Sequence, residues 1–445
     1  MAASVKKNTY YIDPFGCVKN QVDAENMMAY LNNAGWQNAD DAGQAEVIIV
    51  NSCGFIESAK KESIDAVLQW RKFYPEKKIL LAGCLSQRYA KELPELLPEA
   101  DGFIGIEEPK KIAEKVSVWK NSSTDLKKLN RLTQTKIKTL TTGERPLLSL
   151  PGSAYVKISE GCNNRCSYCA IPLIRGSLVC RTIPDILDEC GALLKRGIKE
   201  LCIIGQDIGS YKVGLPKLLK AISTLTGNFW VRLLYIHPDH FPPEILDIME
   251  SDKRFLPYFD IPFQHASAKI LQAMNRNGTE KYLNLINKIR SRLPDAVIRS
   301  TFLLGFPGET EEDFSALLNF QEQAKLDWLG CFNFSREEGT AAYTMKNRVP
   351  AKIAVMRKKL IEEKQIAITE KNMDRFKGKT LEALIEERID SSEDTDVIWL
   401  GRLYCQAPDI DGCAVITGGE DNLQAGTLVK CKVINRRGFD LEVQV

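Results

Sequence analysis

The sequence predicts an α/β protein in three parts: a doubly wound N-terminal domain, a partial (βα)6 barrel and a small C-terminal antiparallel β-barrel. Three observations predict it. Short apolar runs alternate with helical patterns over the first hundred residues, a longer βα series runs from Ala154 to Phe334, and the tail breaks into short strands separated by Gly, Asp and Pro. The 445 residues leave room for about three domains at roughly 150 each.

The first part carries strand-like runs at Thr9–Ile12, Glu46–Val50, Lys78–Ala82 and Gly102–Ile104, each apolar enough for a parallel strand covered on both faces. Helical patterns at Val22–Asn33, Ser58–Phe73 and Gln87–Leu96 lie between them. Residues 110–150 hold ten Lys/Arg against three acids, with NSST and TTG turn signals, which reads as a helix end and an exposed basic linker. The second part shows strands near 155–159, 200–205, 230–236, 258–262, 297–304 and 329–334. Helices near 184–196, 216–225, 243–250, 267–275, 280–292 and 311–325 separate them, and a long charged helix follows at about 351–375. Six units are too few for a closed eight-fold barrel. In the tail, Thr380–Glu386, Thr395–Leu403, Gly412–Ile416, Leu428–Val433 and Asp440–Val445 alternate as strands of a small barrel do. The expected boundaries are 1–120, a linker at 121–150, 151–376 and 377–445.

Hydrophobic residues at 44% and charged residues at 27% exclude a disordered chain or a fibre. No apolar run approaches the roughly 20 residues of a membrane helix, and the start lacks a signal-peptide core, so a cytoplasmic protein with no membrane partner is expected. The net charge of +2 hides an asymmetry, because the tail has seven basic and thirteen acidic residues, net −6. Such a tail repels phosphate and suits a basic protein partner, with Asp409 and Asp411 among the acids available to meet it. Thirteen cysteines in a chain with no export signal argue for metal ligation or buried thiols rather than disulfides, and three histidines make any metal site thiolate-rich.

The strongest motif is GCNNRCSYC, placing Cys162, Cys166 and Cys169 as CxxxCxxC directly after the first barrel strand. Three thiolates can hold three irons of a 4Fe-4S cube and leave the fourth open to a chelating substrate. A zinc loop would want a fourth ligand, and Cys180 lies eleven residues on. A second set is dispersed: Cys17 in FGCVKN, Cys53 in NSCGFI and Cys84 in AGCLSQ each follow a predicted strand. Strand C-termini of a doubly wound sheet open onto one crevice, so the three can converge on a second cluster, and three buried free thiols are the alternative. The other seven cysteines show no mutual spacing and read as core. His237 and His240 flank a proline turn with no thiolate near them in sequence.

CxxxCxxC with Tyr168 inside it, followed by six βα units, resembles the radical S-adenosylmethionine enzymes. That resemblance implies a cluster whose open iron binds the cofactor's amino and carboxylate groups, and reductive cleavage to a 5′-deoxyadenosyl radical. The turns at the strand C-termini are then the candidates for cofactor contact: Gly205, Gln206 and Asp207 after the second strand, Gln264 and His265 after the fourth, and Gly305 to Glu309 after the fifth. Taken with the dispersed cysteines and the terminal barrel, which resembles a TRAM domain, the whole chain resembles the methylthiotransferase family. The resemblance implies two 4Fe-4S clusters, two S-adenosylmethionine molecules and insertion of a methylthio group into an unactivated C–H bond.

Two branches of that family act on adenosine in transfer RNA or on an aspartate of a small-subunit ribosomal protein. VNSCGFIESAKKESI, KISEGCNNRCSYCAIPLIRG, RLLYIHPD, PFQHAS and QAPDIDG resemble the second branch, and His265-Ala266 stands where the first tends to show Ser-Gly. Cys180 stands where a serine is expected and Val18 where a proline is. The implied reaction is methylthiolation of the aspartate β-carbon, the implied partners a basic ribosomal protein and a flavodoxin-type electron donor, with ribosomal RNA within reach of the basic linker. Transfer RNA modification is the alternative, followed by a non-catalytic iron–sulfur electron carrier, which would close its cluster with four cysteines, and a zinc-dependent RNA-binding protein.

Overall fold

A computed structural model describes residues 8–106, 110–121, 144–389, 397–418 and 423–445. Most of the expected basic linker, residues 122–143, lies outside these.

The first domain is a five-stranded, all-parallel sheet in the order Gln37–Asn38, Thr9–Pro14, Val47–Ser52, Lys78–Gly83, Gly102–Ile104. Alternation sorts its side chains. Tyr10, Ile12, Val47, Ile49, Leu80 and Ala82 face the helices Val18–Asn33 and Lys110–Asn121, while Ile48, Val50, Ile79 and Leu81 face Glu57–Phe73. Helices therefore cover both faces, as a doubly wound domain requires. Two differences from the sequence reading have simple causes. The edge strand Gln37–Asn38 is short and exposed, so no apolar pattern marks it. The helix expected over Gln87–Leu96 is two short pieces, Cys84–Arg88 and Leu93–Leu96, because Pro94 cannot donate to a preceding carbonyl and a helix cannot run through it.

The second domain is an open, all-parallel six-stranded sheet ordered Ser153–Lys157, Glu200–Ile204, Trp230–Leu233, Phe255–Asp260, Val297–Leu304, Trp328–Asn333, the expected partial barrel. One face packs on the surrounding helices in a large apolar core. The other, through Tyr155, Cys202, Trp230, Tyr258, Val297 and Trp328, packs against the tail.

The tail is a closed five-stranded barrel of Thr380–Ile389, Ile398–Leu403, Ala414–Thr417, Asp440–Gln444 and Leu428–Arg437. The barrel is not wholly antiparallel: Ala414–Thr417 and Asp440–Gln444 run parallel. Strand directions cannot alternate around a ring with an odd number of members, so closing five strands forces one parallel pair.

The tail docks at the strand N-termini of the second domain. Arg402 donates to Glu200 at 2.6 Å, Arg232 to the other Glu200 oxygen at 2.7 Å, and the Trp328 indole to the Cys405 carbonyl at 2.8 Å. Asp411 belongs to this junction, which corrects its reading as a free surface acid. Its side chain is 1% exposed and accepts from the Tyr258 hydroxyl at 2.6 Å and the Ala407 amide at 2.8 Å. Asp409 lies at the same edge, 3.3 Å from the Tyr155 hydroxyl. QAPDIDG is thus a structural plug beneath the barrel. Among the described residues no helix is long and apolar enough to cross a membrane.

Candidate active site: two cysteine triads with ion pairs between them

The loop bearing Cys162, Cys166 and Cys169 leaves the C-terminal end of Ser153–Lys157. An antiparallel ribbon, Ser159–Glu160 against Val179–Cys180, ties its two ends, and the Cys162 amide donates to the Gly176 carbonyl at 3.1 Å. Ser167 braces the tip, with its amide on the Met274 carbonyl and its hydroxyl on that of Ala273. Burial pushes the Cys169 thiol up to about 12 and Cys162 to about 11, with Arg276 opposing both, and the three sulfurs influence one another electrostatically. His237 stands 3.8 Å from the Cys166 sulfur, so a residue with no cysteine near it in sequence borders one in space.

In the first domain Cys17, Cys53 and Cys84 lie just past the C-termini of Thr9–Pro14, Val47–Ser52 and Lys78–Gly83, at one crevice. Asn20 Oδ1 is 3.3 Å from the Cys84 sulfur and 3.8 Å from that of Cys17. Burial pushes Cys84 up to about 12, with Arg175 the strongest opposing charge.

An ion-pair quartet, buried except for the partly exposed Asp23, stands between the two triads. Lys157 pairs with Asp23 and Glu160, and Arg175 pairs with Glu160 at 2.7 Å and Asp23 at 2.9 Å. Arg175 also reaches the Cys84 sulfur at 3.1 Å. Although burial works against it, Arg175 and Lys157 hold the Glu160 carboxyl well below the usual carboxylate range. The sequence reading missed this quartet. Its signal was present: Lys157 ends an otherwise apolar strand, Glu160 follows three residues on, and Arg175 closes the cysteine motif.

The expected cofactor contacts divide. Gln264, in the left-handed region at φ +71°, lines a cavity of about 210 Å³ with Phe55 and Ile56 of the first domain and Tyr168, Thr301, Leu303 and Phe334 of the second. Gln206 donates to Glu160 at 3.0 Å, and Gly205 packs so tightly on Ser159 that a Cβ would lie 2.7 Å from its hydroxyl. Asp207 is saturated by the protein. It accepts from Ser210 at 2.6 Å, His240 at 2.7 Å, Asn164 at 2.9 Å and two backbone amides, and these donors hold it ionised far down the pH scale against its burial. His265 is fully buried away from the cavity, taking the Ser267 amide at 3.0 Å with Glu309 3.7 Å away. Gly305, at φ +75°, carries its amide to Glu309 at 2.7 Å, and a Cβ there would strike Ala354. The Asp207 carboxylate and the Gly305 amide are thus taken up by neighbouring groups, whereas the buried His265 Nε2 has no hydrogen-bond partner.

The donor sets suit cubes. Each site offers three thiols from separate positions, a donor set that suits three irons of a cube and leaves the fourth without a protein ligand. Buried Ser159 Oγ and Gln206 Oε1, beside Glu160, have no hydrogen-bond partner and so leave polar atoms for a ligand.

Residues 9–105 match the Uncharacterized protein family UPF0004, 156–320 the Radical SAM superfamily and 378–445 the TRAM domain. The fold also matches a radical S-adenosylmethionine methyltransferase, TsrM from Kitasatospora setae, with a TM-score of 0.56 over 75% of this chain and 76% of that one, at 15% identity. Fold and sequence together make this chain a radical S-adenosylmethionine enzyme, a class that implies a 4Fe-4S cluster and S-adenosylmethionine. The ribosomal protein uS12 methylthiotransferase RimO of Treponema denticola is 46% identical over 97% of this chain and 99% of its own. That of Syntrophomonas wolfei is 40% identical over 96% and 97%. The chain belongs to this methylthiotransferase family.

Proposed function

We propose that the protein methylthiolates the β-carbon of an aspartate in the small-subunit ribosomal protein uS12, using two 4Fe-4S clusters and two S-adenosylmethionine molecules. The observation that carries the reading is the pairing of two three-thiol sets, one from each domain, across one charge quartet. Cys162, Cys166 and Cys169 are the ligands of one cluster, and Cys17, Cys53 and Cys84 of the other. When bound, the first supplies the electron that cleaves S-adenosylmethionine and the second holds the sulfur to be methylated.

The chain's own residues position and shield. Asp207 fixes the Asn164 side chain and so the loop whose amide faces the Cys162 sulfur at 3.4 Å. Ser159, Gln206 and Gln264 are the polar contacts offered to the cofactor, while Phe55, Leu303 and Phe334 keep water from the cavity. An aspartate β-hydrogen is too weakly acidic for these side chains to remove as a proton, which suits a radical route. We assign 1–120 to the auxiliary-cluster domain, 121–150 to a basic linker able to meet ribosomal RNA, 151–376 to the radical domain and 377–445 to the TRAM-like barrel. A flavodoxin-type protein is the proposed reductant. Anaerobic incubation of the reduced enzyme with uS12 and, separately, with transfer RNA, followed by mass spectrometry, tests the assignment. A methylthio gain on a uS12 aspartate is expected, and a gain on transfer RNA instead overturns it.

A further inference from the structure

Arg175 is placed unusually for a residue of the radical domain. It ends the short helix Ile171–Arg175, which begins two residues after Cys169, yet its guanidinium lies across the domain boundary among residues of the first domain. It is 3% exposed. One nitrogen donates to Glu160, and the other meets Asp23, Asn20 Oδ1 at 2.7 Å and the Cys84 sulfur at 3.1 Å. Lys157 contacts the same two carboxylates. With Lys157 and Arg175 against Asp23 and Glu160 the quartet is neutral overall. The thiol that Arg175 reaches by a hydrogen bond is the last cysteine of the dispersed triad, and its charge also acts on Cys17 and Cys53.

We propose that Arg175 is a positioning residue for the cluster held by Cys17, Cys53 and Cys84, favouring that cluster's reduced state through an N–H···S hydrogen bond and a fixed positive charge at Cys84. The inference rests on the two-cluster reading above. Reduction adds one electron and makes the cluster more negative. A buried cation and a sulfur hydrogen bond stabilise that form over the oxidised one and raise the potential. Because Arg175 and Cys169 share one short backbone segment, the same loop that holds the radical-generating site also sets the electrostatics of its neighbour.

The test uses the full chain with Cys162, Cys166 and Cys169 replaced by Ala, reconstituted anaerobically with iron and sulfide, and titrated potentiometrically with electron paramagnetic resonance as readout. Arg175→Met should lower the equilibrium constant for one-electron reduction about tenfold, equivalent to a midpoint about 59 mV more negative. Arg175→Lys, which keeps the charge, should recover part of that shift. A midpoint unchanged in Arg175→Met overturns the proposal while leaving the cluster in place. Absence of iron in the parent variant overturns the two-cluster reading and this inference with it. Should Arg175→Met fail to fold, Glu160→Gln supplies the measurement: removing a neighbouring negative charge must raise the midpoint, and an unchanged value overturns the proposal.

Discussion

Asp411→Asn is a sharp test of how the tail is held. Burial at the junction pushes the Asp411 carboxyl up from 3.8 to about 6, against the opposing pull of Arg299 and its hydrogen bonds from Tyr258 and Ala407. A raised acid binds its proton more tightly in the folded chain than in the unfolded one, so its ionisation opposes folding. The contribution is harmless below the unfolded value and becomes a penalty as pH rises toward and through the folded value. A difference of about two units amounts to about 3 kcal/mol at full development, of which about 2 kcal/mol falls between pH 4 and 7.5. Asparagine mimics the protonated form and escapes the penalty. Urea unfolding of both proteins, followed by tryptophan fluorescence, should show the stability gap moving toward the variant by about 2 kcal/mol over that range. A gap independent of pH, or one moving toward the parent, would refute the burial argument.

Cys166→Ala should abolish 5′-deoxyadenosine formation from the reduced enzyme, measured by chromatography, since a cube held by two thiolates is incomplete. The variant lacking Cys162, Cys166 and Cys169 should retain about four irons after reconstitution if the dispersed triad holds a cube, as iron and sulfide analysis will show. Arg402→Met should cost about 3–5 kcal/mol in thermal or denaturant unfolding, because it removes one of the two guanidinium partners of a carboxylate, Glu200, that is itself 0% exposed. Its 5′-deoxyadenosine yield should survive at permissive temperature, because the tail docks at the end of the barrel opposite the cysteine loop.

Most strands and helices were legible because burial on both faces leaves near-continuous apolar runs, and parallel β-strands such as Lys78–Gly83 write that signal plainly. The cysteine triads were legible for a different reason: motif spacing and position after strands encode convergence. What the sequence does not record is whatever depends on three-dimensional company. Gly305 gives its amide to Glu309 four residues on, but the close approach of Ala354 from the helix Ala351–Met373, and of Glu309 to His265, come from residues more than 40 positions along the chain. Asp411 reads as a surface acid because acids usually are, and only the docked barrel turns it into a buried acceptor. The parallel pair in the tail follows from ring closure, a property that no single strand records.

The ion pairs at the domain boundaries explain how separately folded parts present two triads in one geometry. Arg145 bridges Glu25 of the first domain and Glu189 of the second with none of the three side chains exposed, and Glu337 of the second takes both Lys60 and Arg88 of the first. Such buried pairs add little net stability, since the cost of drying the charges nearly cancels their attraction. Their effect is directional. An apolar interface lets one domain slide over another at small cost, whereas a guanidinium between two carboxylates is satisfied in one orientation only. The Lys157–Arg175 quartet joins the segments that carry the two triads, so the contact that fixes the domains also fixes the distance between the two cluster sites proposed above. Chemistry that passes a group between two sites on different domains needs that fixed distance, and an all-apolar boundary would not supply it.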